Sequence, residues 1–187
     1  MPKTIHVTAA KPKVGGAIFS APLGTQLPQN TSDPLDEAFV GLGYISADGL
    51  VNSNSPSTEN VVAWGGDTVY TFQKEKPDTF KFTLIESLNP DVLKAIYGEA
   101  NVTGDLETGL TVKANSDQRE PRAWVVETVL RGGVLKRVVI PAAAVVSVGD
   151  LTYSDAAVMG YETTLAATPD DEGNTHYEYL RGKGAQA

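Results

Sequence analysis

Residues 122–140 read Arg122-Ala123-Trp124-Val125-Val126-Glu127-Thr128-Val129-Leu130-Arg131-Gly132-Gly133-Val134-Leu135-Lys136-Arg137-Val138-Val139-Ile140. Two runs dense in branched aliphatic residues flank a Gly-Gly pair. Branched and aromatic side chains suit a pleated surface and lose rotamer freedom in a helix. Gly-Gly supplies the positive φ that a tight hairpin turn demands. The stretch therefore predicts an antiparallel hairpin, with 122–131 against 134–140.

Outward from it, the same signal recurs. In Thr79-Phe80-Lys81-Phe82-Thr83-Leu84-Ile85, Phe80, Phe82 and Leu84 share one face and Lys81 and Thr83 the other, the alternation of a half-buried strand. Residues 68–73 place Tyr70 and Phe72 on one face, and Lys76-Pro77-Asp78 is turn chemistry, so 68–73 and 79–85 read as a strand pair. A first strand is expected over 38–46, with Val40, Leu42 and Tyr44 on one face and Phe39 and Ile45 on the other. Residues 157–167 alternate Met159, Tyr161 and Leu165 against Gly160, Glu162 and Thr164, and a turn over 170–174 leads to a last strand over 176–180. One helix is expected from Asn89 to Gly98. Asn89 caps it, Pro90 suits its first position, and Val92, Leu93, Ile96 and Tyr97 form its apolar stripe. Seven or eight strands and one short helix predict a mainly β fold, a β-sandwich or partly closed β-barrel with one short flanking α-helix.

The flanks are less regular. Residues 1–37 hold much of the proline and read as an extended N-terminal arm, with a turn or a single helical turn at 31–37 in which Asp33 serves as N-cap and Pro34 takes the first helical position. Residues 38–180 form a single β-rich domain, and 181–187 a flexible C-terminal tail. The strongest irregularity follows Asp48-Gly49. Residues 52–60 are polar, with almost nothing to bury, and the chain returns at Ala63-Trp64-Gly65-Gly66-Asp67. Residues 46–66 are expected to be a long protruding loop, and loops of that length inside a domain are uncommon and usually functional.

The chain has 187 residues, 41% of them hydrophobic, with no cysteine and a formal charge of −8. That length and content support a folded core without disulfides. Thiolate chemistry is excluded, the charge argues against reading nucleic acid, and no apolar run reaches the length of a membrane span. No secretion signal is read at Met1-Pro2-Lys3-Thr4-Ile5-His6, and lack of cysteine fits synthesis in a reducing cytosol. His6 and His176 belong to no ligand cluster. Gly182-Lys183-Gly184 lacks the strand and helix of a phosphate loop, and Val14-Gly15-Gly16-Ala17 lacks the βαβ unit of a dinucleotide site. Asp105 and Glu107, Asp117 and Glu120, and Asp170, Asp171 and Glu172 lie in loops and read as solvated surface, with no calcium-loop spacing. Trp64 is expected to anchor a loop and Trp124 to fill a core. No catalytic residue, metal or cofactor is predicted, and these residues give no reading as an enzyme.

In order along the chain stand Gly43-Tyr44-Ile45-Ser46-Ala47-Asp48-Gly49-Leu50, Ala63-Trp64-Gly65-Gly66-Asp67, the 78–86 run, Leu93-Lys94-Ala95-Ile96-Tyr97-Gly98 with Asn101-Val102-Thr103-Gly104, then Gly160-Tyr161-Glu162-Thr163-Thr164-Leu165 and 173–179. This ordered set resembles the major tail protein, or tail tube protein, of long-tailed phages of the siphovirus type, from about Phe39 onward. The resemblance implies a virion structural protein, made in the host bacterial cytoplasm. Its copies assemble as hexameric rings stacked into a hollow tail tube that conducts DNA to the host without binding it specifically. It implies tape-measure, tail-tip and terminator proteins as partners, no membrane and no cofactor. On that view the 46–66 segment reaches a neighbouring subunit, and the assembly-interface candidates are Asp48, Gly49, Leu50, Asn52, Asn54, Pro56, Glu59, Trp64, Gly65 and Gly66. The competing readings are a binding or decoration module with a β-sandwich fold, the inner tube of a contractile injection machine, and a small hydrolase using paired loop carboxylates.

Overall fold

A computed structural model describes residues 2–182. Of the C-terminal tail expected over 181–187, Arg181 instead ends the last strand, and 183–187 lie outside the described residues. In chain order the elements are β1 (Ala10–Pro12), β2 (Ile18–Pro22), β3 (Val40–Gly41), β4 (Ile45–Asn54), β5 (Ser57–Val62), β6 (Thr68–Glu75), β7 (Asp78–Leu84), α1 (Pro90–Tyr97), β8 (Val102–Thr103), β9 (Thr111–Val112), β10 (Arg122–Leu130), β11 (Leu135–Val148), β12 (Tyr161–Ala167) and β13 (Tyr177–Arg181). The class is mainly β with one short flanking α-helix, as the patterning implies.

Nine strands form one sheet. Its main path runs β3-β2-β10-β11-β12-β7-β4, with β1 also on β10 and β13 also on β11. The β10–β11 hairpin is its spine, pairing from Arg122↔Ala143 to Val129↔Leu135 around the Gly132-Gly133 turn. Two partners share each spine strand end to end. β2 lies along Arg122–Val126 and β1 along 128–130. β13 lies along Leu135–Val139 and β12 along 143–148. The path has two ends, so the sheet does not close into a barrel.

The middle of the spine, 123–126 against 138–140, is apolar because both of its faces are covered there. Trp124 and Val126 enter the larger core with Ile18, Phe80, Phe82, Leu84, Ile140 and Leu165. Ala123 and Val125 enter a smaller core on the other face, against Ala21, Phe39, Val139 and the half-buried Leu27 and Leu35. Trp124 is 1% exposed, and its indole N–H donates to the Ala143 carbonyl at 3.0 Å. Helix α1 closes the larger core with Val92, Leu93, Ala95 and Ile96. Its local signals work as read. The Asn89 side chain accepts from the Asp91 N–H at 3.0 Å, and the Gly98 N–H caps Lys94.

A charged clamp holds the smaller core shut. Glu127 and Arg137 face each other across the spine and are both buried. Arg137 donates through Nε to Glu127 Oε1 at 2.9 Å and through Nη1 to the Asn30 and Asp33 carbonyls at 2.6 and 2.8 Å. Lys13 Nζ reaches Glu127 Oε2 at 2.6 Å. Burial alone would raise the Glu127 carboxyl, but hydrogen bonds and charge from Lys13 and Arg137 outweigh it and hold the group below the usual carboxylate range.

Several sequence expectations need correction. The stretch read as an extended arm contributes β2 to the interior of the sheet, with Ile18 and Ala21 fully buried. Ala17-Ile18-Phe19-Ser20-Ala21 carries no charge, and its proline-rich flanks hid it. No helical turn follows Asp33. Its carboxylate instead accepts from the Gln29 N–H at 2.8 Å and from the Asn30 side chain. The expected first strand breaks after Gly41 and resumes as β4. At Gly43 φ is +68°, and a Cβ there would lie 2.0 Å from Glu86 Cδ, whose carboxylate accepts the Tyr44 N–H at 2.9 Å. The strand expected over 157–167 starts at Tyr161. Finally, β6 and β7 do not pair. β7 lies between β4 and β12, and β6 pairs only with β5.

Candidate assembly surface

Strands β4 to β7 are one long hairpin with a gap. Asn54 pairs Asp78 at the end of β4–β7, and Ser57 pairs Glu75 at the start of β5–β6. Ser55-Pro56 stands opposite Lys76-Pro77, so the register passes the gap without a slip. Proline lacks the N–H that a ladder needs, and here it interrupts both legs at one level. Beyond the gap β5 and β6 form a separate two-stranded sheet. The segment read as a 46–66 loop is therefore a body strand, a proline gap and one leg of a ribbon.

The ribbon forms because Val61, Val62, Val69, Tyr70, Thr71 and Phe72 favour extended backbone, and because the tip turns tightly. The Ala63 N–H donates to the Asp67 carbonyl at 2.8 Å and the Gly66 N–H to the Ala63 carbonyl at 3.0 Å. Gly65 and Gly66 have φ of +118° and +100°, values that a Cβ would strain. One ribbon face is largely apolar. Val61 stands opposite Tyr70 and Glu59 opposite Phe72. The Tyr70 and Phe72 rings stack with centroids 6.1 Å apart, and Lys74 Nζ bridges to Glu59 at 3.0 Å. The other face is more polar, with Thr71 donating to the Asn60 side chain at 2.8 Å.

No residue of β6 is buried. Tyr70 is 62% and Phe72 37% exposed, while Trp64 at the tip is fully exposed and is buried by none of the described residues. A two-stranded hairpin on its own is marginal in water. An exposed apolar face of this kind marks an interaction surface.

The ten expected interface residues divide at the gap. Asp48 and Gly49 lie in the β4 bulge between the Ile45 and Leu50 pairings, where Ser46 Oγ donates to Asp48 at 3.2 Å. Leu50 is half-buried against the larger core. Asn52 and Asn54 belong to the body's last rungs and Pro56 to the gap. Only Glu59, Trp64, Gly65 and Gly66 are on the ribbon. Sequence reasoning missed Val61, Val62, Val69, Tyr70 and Phe72. Their alternation is that of a half-buried strand, and nothing local says the other half of the burial comes from outside the chain. β4 pairs only β7, so its outer edge is a second exposed element at the end of the sheet.

The titratable groups serve structure. His176 Nδ1 lies 2.5 Å from Asp78 Oδ2, and Asp78 is 2% exposed. Burial would raise the Asp78 carboxyl, but hydrogen bonds from Thr175, Asn52 and His176 outweigh it and hold it low. Asp105 and Asp170, expected to be solvated, close their own loops. Asp105 accepts from the Glu107 and Thr108 N–H groups, and Asp170 from the Glu172 and Asn174 N–H groups and the Tyr177 hydroxyl. Among the described residues no group of three or more His, Asp or Glu side chains is placed to hold a metal ion. No helix there is long and apolar enough to cross a membrane.

A family model described as phage tail tube protein matches residues 8–184, nearly the whole chain. No curated protein matches the chain.

Proposed function

The chain belongs to the phage tail tube protein family, and on that premise we propose that six copies form a ring and that rings stack into the tube of a long-tailed, siphovirus-type phage. Membership makes this a structural, self-assembling protein of the virion tail, in a family that is not enzymatic.

The observation that carries this proposal is the ribbon. It offers an apolar face, Val61, Tyr70 and Phe72, and a bare tip, Trp64, to something outside its own chain. A neighbouring copy supplies a cover for it in every subunit at once. Such a contact joins two different surfaces, and where its rotation does not close a ring it propagates along an axis, from one ring to the next. The exposed outer edge of β4 suits sheet continuation around the ring, which would remove a free edge. Each ring of six then carries six times the chain's −8. Acidic groups facing inward repel phosphate and let DNA slide. The tape-measure protein occupies the same passage before DNA, and terminator and tip proteins meet the tube's ends.

Electron microscopy of concentrated protein tests this reading. The expected result is rings and tubes from the intact chain. A variant in which 55–77 is replaced by an Asn-Gly turn should close β4 directly onto β7, remain folded and form no tubes. Tubes of normal length from the shortened variant would overturn the ribbon's role.

A further inference from the structure

Asp78 is the first residue of β7, immediately on the body side of the proline gap. Its carboxylate is saturated from two directions. Asn52 of β4 donates to Oδ1 at 2.7 Å. Thr175 Oγ1 donates to Oδ2 at 2.6 Å, with His176 Nδ1 at 2.5 Å from the same oxygen. Thr175 and His176 lie in a third element, the approach to β13, which pairs with the spine strand β11. The His176 ring also meets Phe80 edge-on at 5.4 Å. The two hairpin legs are thus bound to each other and to the spine at the level where the ladder ends.

Beyond that level the ribbon has only itself. Among the described residues its strands pair with each other alone, and the legs that join it to the body pass through Pro56 and Pro77 without ladder pairing. Paired breaks at one level make a hinge line, because a strand ribbon resists bending through the ladder that is missing there. A buried carboxylate with three side-chain partners is strong and directional. We infer that the Asp78 cluster is a brace, and that Asp78, Thr175 and His176 are positioning residues that set the angle at which the ribbon leaves the body. A ribbon aimed in advance reaches its partner surface without an ordering cost at each addition. This last step rests on the ribbon being an intersubunit contact. The brace itself does not.

The chain has no cysteine, so two spin labels can be placed cleanly, at Gln73→Cys on β6 and Val146→Cys on β11, both exposed sites. In the otherwise unchanged chain, kept unassembled by dilution, the distance distribution is expected to be narrow. Thr175→Val with His176→Phe should broaden or shift it while circular dichroism of the body is retained. Thr175→Ser, which keeps the hydroxyl, should leave it narrow. If the double variant loses its fold, Thr175→Val alone against Thr175→Ser gives the same comparison. An unchanged distribution in the folded Val variant overturns the brace. A broadened distribution with normal tube growth would keep the brace and count against the ribbon's role in assembly.

Discussion

The β10–β11 hairpin and the β5–β6 ribbon are built from the same local parts. Each pairs two strands that contain adjacent valines or aromatic residues, each turns on a Gly-Gly pair, and each carries one tryptophan. Their fates are opposite. Trp124 is 1% exposed and Val125 fully buried, whereas Trp64 is fully exposed and Tyr70 62% exposed. The difference lies in what stands beside them. The spine has strands on both edges and cover on both faces, and the ribbon is cut from the body by Pro56 and Pro77. Strand propensity and turn chemistry thus specify a hairpin, and do not say whether the chain itself or a second copy will bury it.

The contrast can be broken most strongly at the two tryptophans. Trp124→Ala should cost about 3–5 kcal/mol of folding stability, from lost burial plus a cavity, read as a large fall in thermal midpoint. Trp64→Ala should leave monomer stability unchanged within ~0.5 kcal/mol, while tube growth weakens. A matching loss of stability in both would dissolve the distinction between spine and ribbon.

Glu127→Gln should cost roughly 3 kcal/mol, because it strips Arg137 of its buried counter-charge. Denaturant titration would show it. The same groups set the acid response. Glu127 and Asp78 are both held below ordinary carboxylate values in the folded chain. Their stabilisation is complete above the unfolded pKa of about 4 and is lost as pH falls through the lower folded values. Thermal midpoints should therefore drop in acid, and the drop should be shallower in Glu127→Gln. A midpoint that is flat from neutral pH into that range would contradict the carboxylate clamp.

On the ribbon, Tyr70→Ala should weaken assembly by about 2 kcal/mol, roughly thirtyfold in critical concentration, as expected of a central aromatic contact. Light scattering against concentration would measure it, and an unchanged threshold would place the contact elsewhere. The smallest expected effect is at the helix. Asn89→Ala should cost about 1 kcal/mol by removing the cap from the Asp91 N–H, without altering assembly.

Much of the body was legible in the linear chain. The hairpin at Gly132-Gly133, the alternation of Phe80, Phe82 and Leu84, and the Asn89-Pro90 start of α1 are short-range signals, and each element formed close to where it was read. β2 escaped because five uncharged residues between prolines and glycines have no period to detect. The candidate surface was half legible. A polar stretch ending in Trp64-Gly65-Gly66 marked an unusual segment, but Tyr70 and Phe72 looked like interior residues. The brace was not legible at all, since Asn52, Asp78 and His176 lie far apart in the chain and meet only once β4, β7 and the approach to β13 are in place.

Strand propensity, the glycine turns, the helix cap and the missing cysteines are properties of neighbours in sequence, and they established a mainly β fold with one helix. Which strands share a sheet, which valines are covered and where Asp78 finds its partners are questions of long-range pairing. The tertiary structure alone decided them, because burial belongs to a residue's surroundings, and two hairpins with similar turns acquired different surroundings where Pro56 and Pro77 interrupt the ladder of one.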